Sequence, residues 1–153
     1  MHANLSIPRP RRGFTLVELA VVVVIIGVLA AFGVPRFLQS VERSKAAEAF
    51  AYLSAVRTAQ ERYHAREGTY ADNLDNLDIQ APTPKYFSVG PIEGNSDLQD
   101  SWIMTLTRSG SSAGYGEYTV VFTDQGFDSS SDIVADINPI GAQGAAPDPG
   151  PET

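Results

Sequence analysis

At 153 residues the chain has room for one modest domain and an anchoring segment, and its averages of 43% hydrophobic and 19% charged residues are ordinary. The formal charge is −7; the first 13 residues hold Arg9, Arg11 and Arg12 and no acid, so the remainder sets 8 basic against 18 acidic side chains, which excludes a general electrostatic footprint for nucleic acid and leaves only a local patch open. Cysteine is absent, which excludes disulfides, zinc–thiolate sites and thiol nucleophiles.

The first informative stretch is Arg11-Arg12-Gly13-Phe14-Thr15-Leu16-Val17-Glu18-Leu19. From Phe14 to Val34 the only charge is Glu18. About 21 helical residues at 1.5 Å each reach roughly 31 Å, enough to cross a bilayer core. The run from Ala20 to Ile26 is apolar on every side, which suits lipid or a filament core rather than the surface of a small soluble domain. The leading arginines predict a cytoplasmic N-terminus, an asymmetry that Arg36, Arg43 and Lys45 weaken. Glu18 is a candidate functional residue, because a carboxylate inside a span either stays hydrated near the interface or needs a cationic partner. Pro35 cannot donate to the carbonyl of Ala31, and Gly27 and Gly33 weaken the helix further. The segment from Gly27 to Pro35 is expected to kink or to melt under packing stress, and Pro35 also suits a simple membrane exit.

Gly13-Phe14-Thr15-Leu16-Val17-Glu18, followed by the apolar run, resembles the processing motif of type IV prepilins and type II secretion pseudopilins. The match is specific over residues 11–45 and general beyond them. The resemblance implies that a prepilin peptidase cuts after Gly13 and that Phe14 is then N-methylated. It also implies that Glu18 recruits and registers the incoming subunit, with Thr15 matching its family counterpart. An ordinary secretory signal places its apolar stretch before the cut. Here the cut removes leader 1–13 and leaves the anchor 14–35 on the mature chain. The amine created on Phe14 is a natural partner for Glu18, from a neighbouring subunit or within one chain. Gly27, Gly33 and Pro35 resemble the offsets at which pilin helices unwind in filaments. Two rival readings are a twin-arginine export signal and an uncleaved signal anchor. Against the first, the apolar run is long, contains Glu18 and precedes no small-x-small cleavage site.

Beyond the span, residues 36–67 continue as an amphipathic helix with Ala49, Phe50, Leu53, Val56, Ala59 and Tyr63 on its apolar stripe, an Arg57–Glu61 pair, and Gly68 as the stop. Residues 68–77 read as a polar connection anchored by Tyr70, Leu74 and Leu77, and Gly68-Thr69-Tyr70 again resembles pilin sequences. Tyr86–Val89, Ser101–Arg108 and Glu117–Thr123 are candidate strands, the last two alternating in the manner of an antiparallel hairpin. The expected fold is α+β, pilin-like: a long N-terminal helix packed on a three- or four-stranded antiparallel sheet over residues 68–137. Residues 138–153, rich in Gly, Ala and Pro, are expected to form a disordered tail. Asp124, Asp128, Asp132 and Asp136 recur every four residues and are candidate calcium ligands, calcium being the only candidate cofactor; the alternative is a solvated acidic loop.

No nucleophile elbow, phosphate loop or paired histidine suggests an enzyme. The residues and the resemblance together imply a structural subunit of a type IV pilus-like filament. Its expected partners are its own copies as a helical homopolymer, the prepilin peptidase and methyltransferase, the inner-membrane assembly platform with its ATPase, and minor pilins. The expected location is the inner membrane first, then an extracellular or periplasmic filament. The alternative within the family is a pseudopilin driving type II secretion.

Overall fold

The computed structural model describes residues 13–94, 97–112 and 114–141. The leader arginines and the tail from residue 142 lie outside the described residues. Two compact units divide after Arg36, beside Pro35.

Helix α1 runs Leu16–Glu67, with Gly27, Gly33 and Pro35 inside it. Every residue from Gly13 to Arg36 is exposed, including the whole apolar run. This helix has a stretch long and apolar enough to cross a membrane.

The second unit begins with the amphipathic part of α1. Ala46, Ala49, Phe50, Leu53, Val56, Ala59 and Gln60 are buried at helical spacing. The helix stops at Gly68, whose φ of +75° permits the left-handed turn that lets its N–H reach the carbonyl of His64 at 2.8 Å. A 3₁₀ turn at Leu74–Asn76, capped by Asn73, follows and brings Leu77 into the core.

Four strands form one antiparallel sheet in chain order: β1 (Phe87–Glu93), β2 (Ile103–Arg108), β3 (Thr119–Thr123) and β4 (Gly126–Phe127). Alternation along β2 buries Met104, Leu106 and Arg108, with Trp102 buried just before it. These side chains, with Phe87, Ile92, Val120 and Phe122, meet the apolar stripe of α1 in one core. Phe50 lies at the centre, edge-on to Phe122 at 5.6 Å and stacked on Phe127 at 5.3 Å.

Three details depart from the expected sheet. Strand β1 continues past Val89 to Glu93 through an irregularity at Gly90-Pro91. Edge position tolerates the proline, and a Cβ on Gly90 would stand 2.6 Å from the carbonyl oxygen of Thr105. A fourth strand was within the expectation, but its position at Gly126-Phe127 was not among the candidate segments. The chain after it returns along β3, where Ser131 Oγ accepts from Val121 N at 2.8 Å and Thr119 Oγ1 donates to Asp132 at 3.1 Å. This segment follows the edge of β3 past β4, and Val121 and Thr123 are buried along with their alternating neighbours. Residues 138–141, expected in the tail, begin with a buried Asn138 next to the fully buried Ile137.

Candidate functional site

The N-terminus of α1 is built by three hydrogen bonds. Thr15 precedes the first helical residue, and Glu18 is the third residue of the first turn. The Thr15 hydroxyl accepts from Glu18 N at 3.2 Å and donates to Glu18 Oε2 at 2.8 Å, and Thr15 N donates to the same Oε2 at 2.9 Å. This is a capping box, in which the two residues satisfy each other's unpaired helix-end donors. Its signature, Thr-x-x-Glu, is legible in the sequence, and it gives Thr15 a physical role beside the one implied by resemblance. Oε2 takes both Thr15 donors, and Oε1 has no hydrogen bond among the described residues.

Gly13 and Phe14 precede the helix, and Phe14 is 77% exposed. The peptide bond between them is therefore outside the helical hydrogen-bond ladder. The Phe14 nitrogen takes no part in the cap. Hydrolysis at this bond would leave the box intact and create an ammonium beside a carboxylate that retains one free oxygen. A cation at a helix N-terminus is unfavourable toward the helix dipole, so a carboxylate close to it is needed for balance.

The structure places Gly27 and Gly33 on the open surface of α1, where an added Cβ would meet nothing within 4 Å. No contact among the described residues requires glycine at either position.

The four aspartates do not converge. Asp124 offers its backbone oxygen to Arg57 at 2.9 Å and its carboxylate to Gln125. Asp128 caps Ser130, whose hydrogen bonds hold its carboxyl below the usual range. Asp132 binds Thr119, and the backbone oxygen of Asp136 accepts from Gln39. Among the described residues no group of three or more His, Asp or Glu side chains could hold a metal ion. The fourfold spacing would gather carboxylates on a helix, but these residues lie in turns and irregular segments, where it does not bring them together.

A buried ionic cluster was missed. Glu42 is fully buried on α1, and Arg108 of β2 grips it through Nε at 2.6 Å and Nη2 at 3.3 Å. Tyr118 donates to it at 3.0 Å and Lys45 at 3.2 Å. Arg108 also binds the carbonyls of Tyr86, Ser109 and Ser111, so its donors are engaged. Burial pushes the Glu42 carboxyl up, but its hydrogen bonds from Arg108, Tyr118 and Lys45 prevail and hold it below the usual carboxylate range. Burial, and then the bond to Glu42, push the Tyr118 phenol well above its ordinary value. The signal for Arg108 was present, since strict alternation puts it on the face of Trp102, Met104 and Leu106.

Comparison with known proteins bears on the same N-terminal region. Residues 8–34 match the family described as the prokaryotic N-terminal methylation motif. The chain is 29% identical over 135 residues to the type IV major pilin protein PilA of Myxococcus xanthus, covering 87% of this chain and 61% of the relative. It is 30% identical over 95 residues to a fimbrial protein of Moraxella nonliquefaciens, covering 61% and 62%. A third relative, the type IV narrow pilus major component PilA5 of Thermus thermophilus, is 50% identical over 48 residues, covering 31% of this chain and 41% of that one. The chain thus spans about three-fifths of the length of the first two relatives.

Proposed function

We propose that the chain is a member of the type IV pilin family and the structural subunit of a type IV pilus-like filament, a reading supported by the methylation motif at residues 8–34 and by the similarity to pilins. The observation that carries this reading is Glu18, held by Thr15 at the tip of a fully exposed apolar helix with one oxygen unengaged. A prepilin peptidase cuts between Gly13 and Phe14, and the new terminus is methylated. The anchor holds the subunit in the inner membrane with its N-terminus toward the cytoplasm. An assembly platform driven by an ATPase then moves it into the filament, where minor pilins are further partners. The chain itself performs no chemistry.

In the filament the apolar helices pack in the centre and the acidic heads face outward. Burying the helix surface from Phe14 to Val34 drives that packing without directional preference. Direction and register come from the free oxygen of Glu18, which accepts from the Phe14 ammonium of a neighbour. The contact is heterologous, so it repeats into an open helix rather than closing a ring. The relatives' names, pilins and fimbrial proteins, support a surface pilus over a secretion pseudopilus.

The test is Glu18→Ala. The variant is expected to accumulate in the membrane fraction at the normal level, while sheared filament protein falls sharply. Normal filament yield would remove the registry role.

A further inference from the structure

The C-terminal end of α1 carries an open groove. It lies between the last turns of the helix and the 3₁₀ turn and has a volume of about 430 Å³. Buried Ala59 and Leu77 form its floor, and Arg62, Tyr63, Arg66 and Asp78 stand around it. Arg62 Nη2 donates to the Asp78 carbonyl at 2.6 Å, and the Arg66 guanidinium sits 5.9 Å from the centre of the Tyr63 ring. The Asp78 carboxylate accepts from Gln80 at 2.6 Å. Neither groove arginine reaches a carboxylate among the described residues, whereas Lys45, Arg57 and Arg108 all do. Yet acid is plentiful, since residues 37–141 hold seven basic and fifteen acidic side chains. Like charges one turn apart on a helix repel, and carboxylates placed against the two guanidiniums remove that cost.

The other end of the head carries the matching chemistry. Gln39 Nε2 donates to the Asp136 carbonyl at 3.2 Å, and Arg43 Nη2 to the Pro139 carbonyl at 3.3 Å. These bonds fix segment 136–139 beside α1, running in the helix direction. Ile133 and Ile137 are buried, whereas Asp132, Val134 and Asp136 are exposed. The segment thus presents one apolar side chain, 51% exposed, between two carboxylates. Asp132 keeps one oxygen outside its bond to Thr119, and the Asp136 carboxylate has no hydrogen bond among the described residues. Arg43, the cation beside the segment, is engaged at its Pro139 end. An apolar knob flanked by acids fits an apolar floor flanked by guanidiniums.

The two surfaces cannot meet within one chain, because the segment is held about 35–40 Å back along α1 from the groove at 1.5 Å per residue. They meet when a second, parallel copy is displaced by that distance. Such a contact is heterologous: it leaves a free groove on one copy and a free segment on the other, so it repeats without closing.

We propose that the groove of Arg62, Tyr63 and Arg66 receives the Asp132–Asp136 segment of a second copy. Val134 lies against Ala59 and Leu77, Asp132 faces Arg62, and Asp136 faces Arg66. This rests on the filament reading above and adds a contact between heads to the one between apolar helices.

The chain has no native cysteine, so introduced disulfides can report the contact in intact filaments. Ala65, which lines the groove, and Val134 are both exposed. Oxidised filaments of the chain carrying Ala65→Cys and Val134→Cys together are expected to give a ladder of dimers and higher multimers on a non-reducing gel, while either single variant stays monomeric. A second arm needs no cysteine. Arg66→Glu is expected to lower sheared-filament yield severalfold, Asp136→Arg to do the same, and the two together to recover most of it. Double-cysteine filaments that stay monomeric, or paired charge variants that do not recover, overturn the docking while wild-type filaments leave the filament reading standing. A dimer from Val134→Cys alone assigns the segment to a symmetric contact with itself and overturns the docking too. Absence of any sheared polymer from the wild-type chain overturns the filament reading itself.

Discussion

Two glutamates on one helix illustrate how surroundings assign a carboxylate its work. Glu18 is exposed at the helix tip, capped on one oxygen and free on the other. Glu42 is fully buried and engaged on both oxygens. Removing one partner of a buried pair strands the other charge, which typically costs about 3–5 kcal/mol. Glu42→Ala is therefore expected to lower the stability of the head by about that amount, read as the urea midpoint of the detergent-solubilised chain. The pH profile gives a second check. The Glu42 pKa is depressed on folding, so its contribution is present above the ordinary glutamate value of about 4.3 and is lost as pH falls through the lower native value. The Tyr118 pKa is raised, so its contribution is present below about 10 and is lost as pH rises beyond that. The variant should show a shallower acid limb, and an unchanged limb would show that the cluster does not contribute.

At the scale of elements, the sheet depends on a close approach between β1 and β2. Gly90→Ala would set a methyl group 2.6 Å from the Thr105 oxygen, so one strand must shift. A loss of about 1–3 kcal/mol is expected in the same denaturation experiment, and wild-type stability would contradict the register at this point. The long helix, the hairpin and most of the helix-face core were legible in the sequence because each rests on a local period. Phe50, Leu53 and Val56 announce a buried stripe by spacing alone. Strand β4 was not legible, because Gly126-Phe127 is too short to show a period. Nor was the Glu42–Arg108 pair, whose members are 66 residues apart. Arg108 signalled only that some partner was needed. The four aspartates show the limit of spacing outside regular structure, since turns and irregular segments do not bring their carboxylates together.

At the scale of the whole molecule, the chain divides after Arg36 into an exposed apolar part and a part with its own core. The apolar stretch from Phe14 to Val34 is exposed along its whole length, a surface that suits lipid or other copies. The acidic head has its own core and requires neither. In the proposed function, cleavage after Gly13 would connect the two states: it would discard the basic leader, preserve the Thr15–Glu18 cap and create an amine able to donate to Glu18. Mass spectrometry of the chain recovered from sheared filaments tests this most directly. An N-terminal peptide beginning at Phe14 with one added methyl group on its amine is the predicted result. A chain that still begins with the arginine-bearing leader, or one that begins beyond Val34 with the anchor gone, would contradict it.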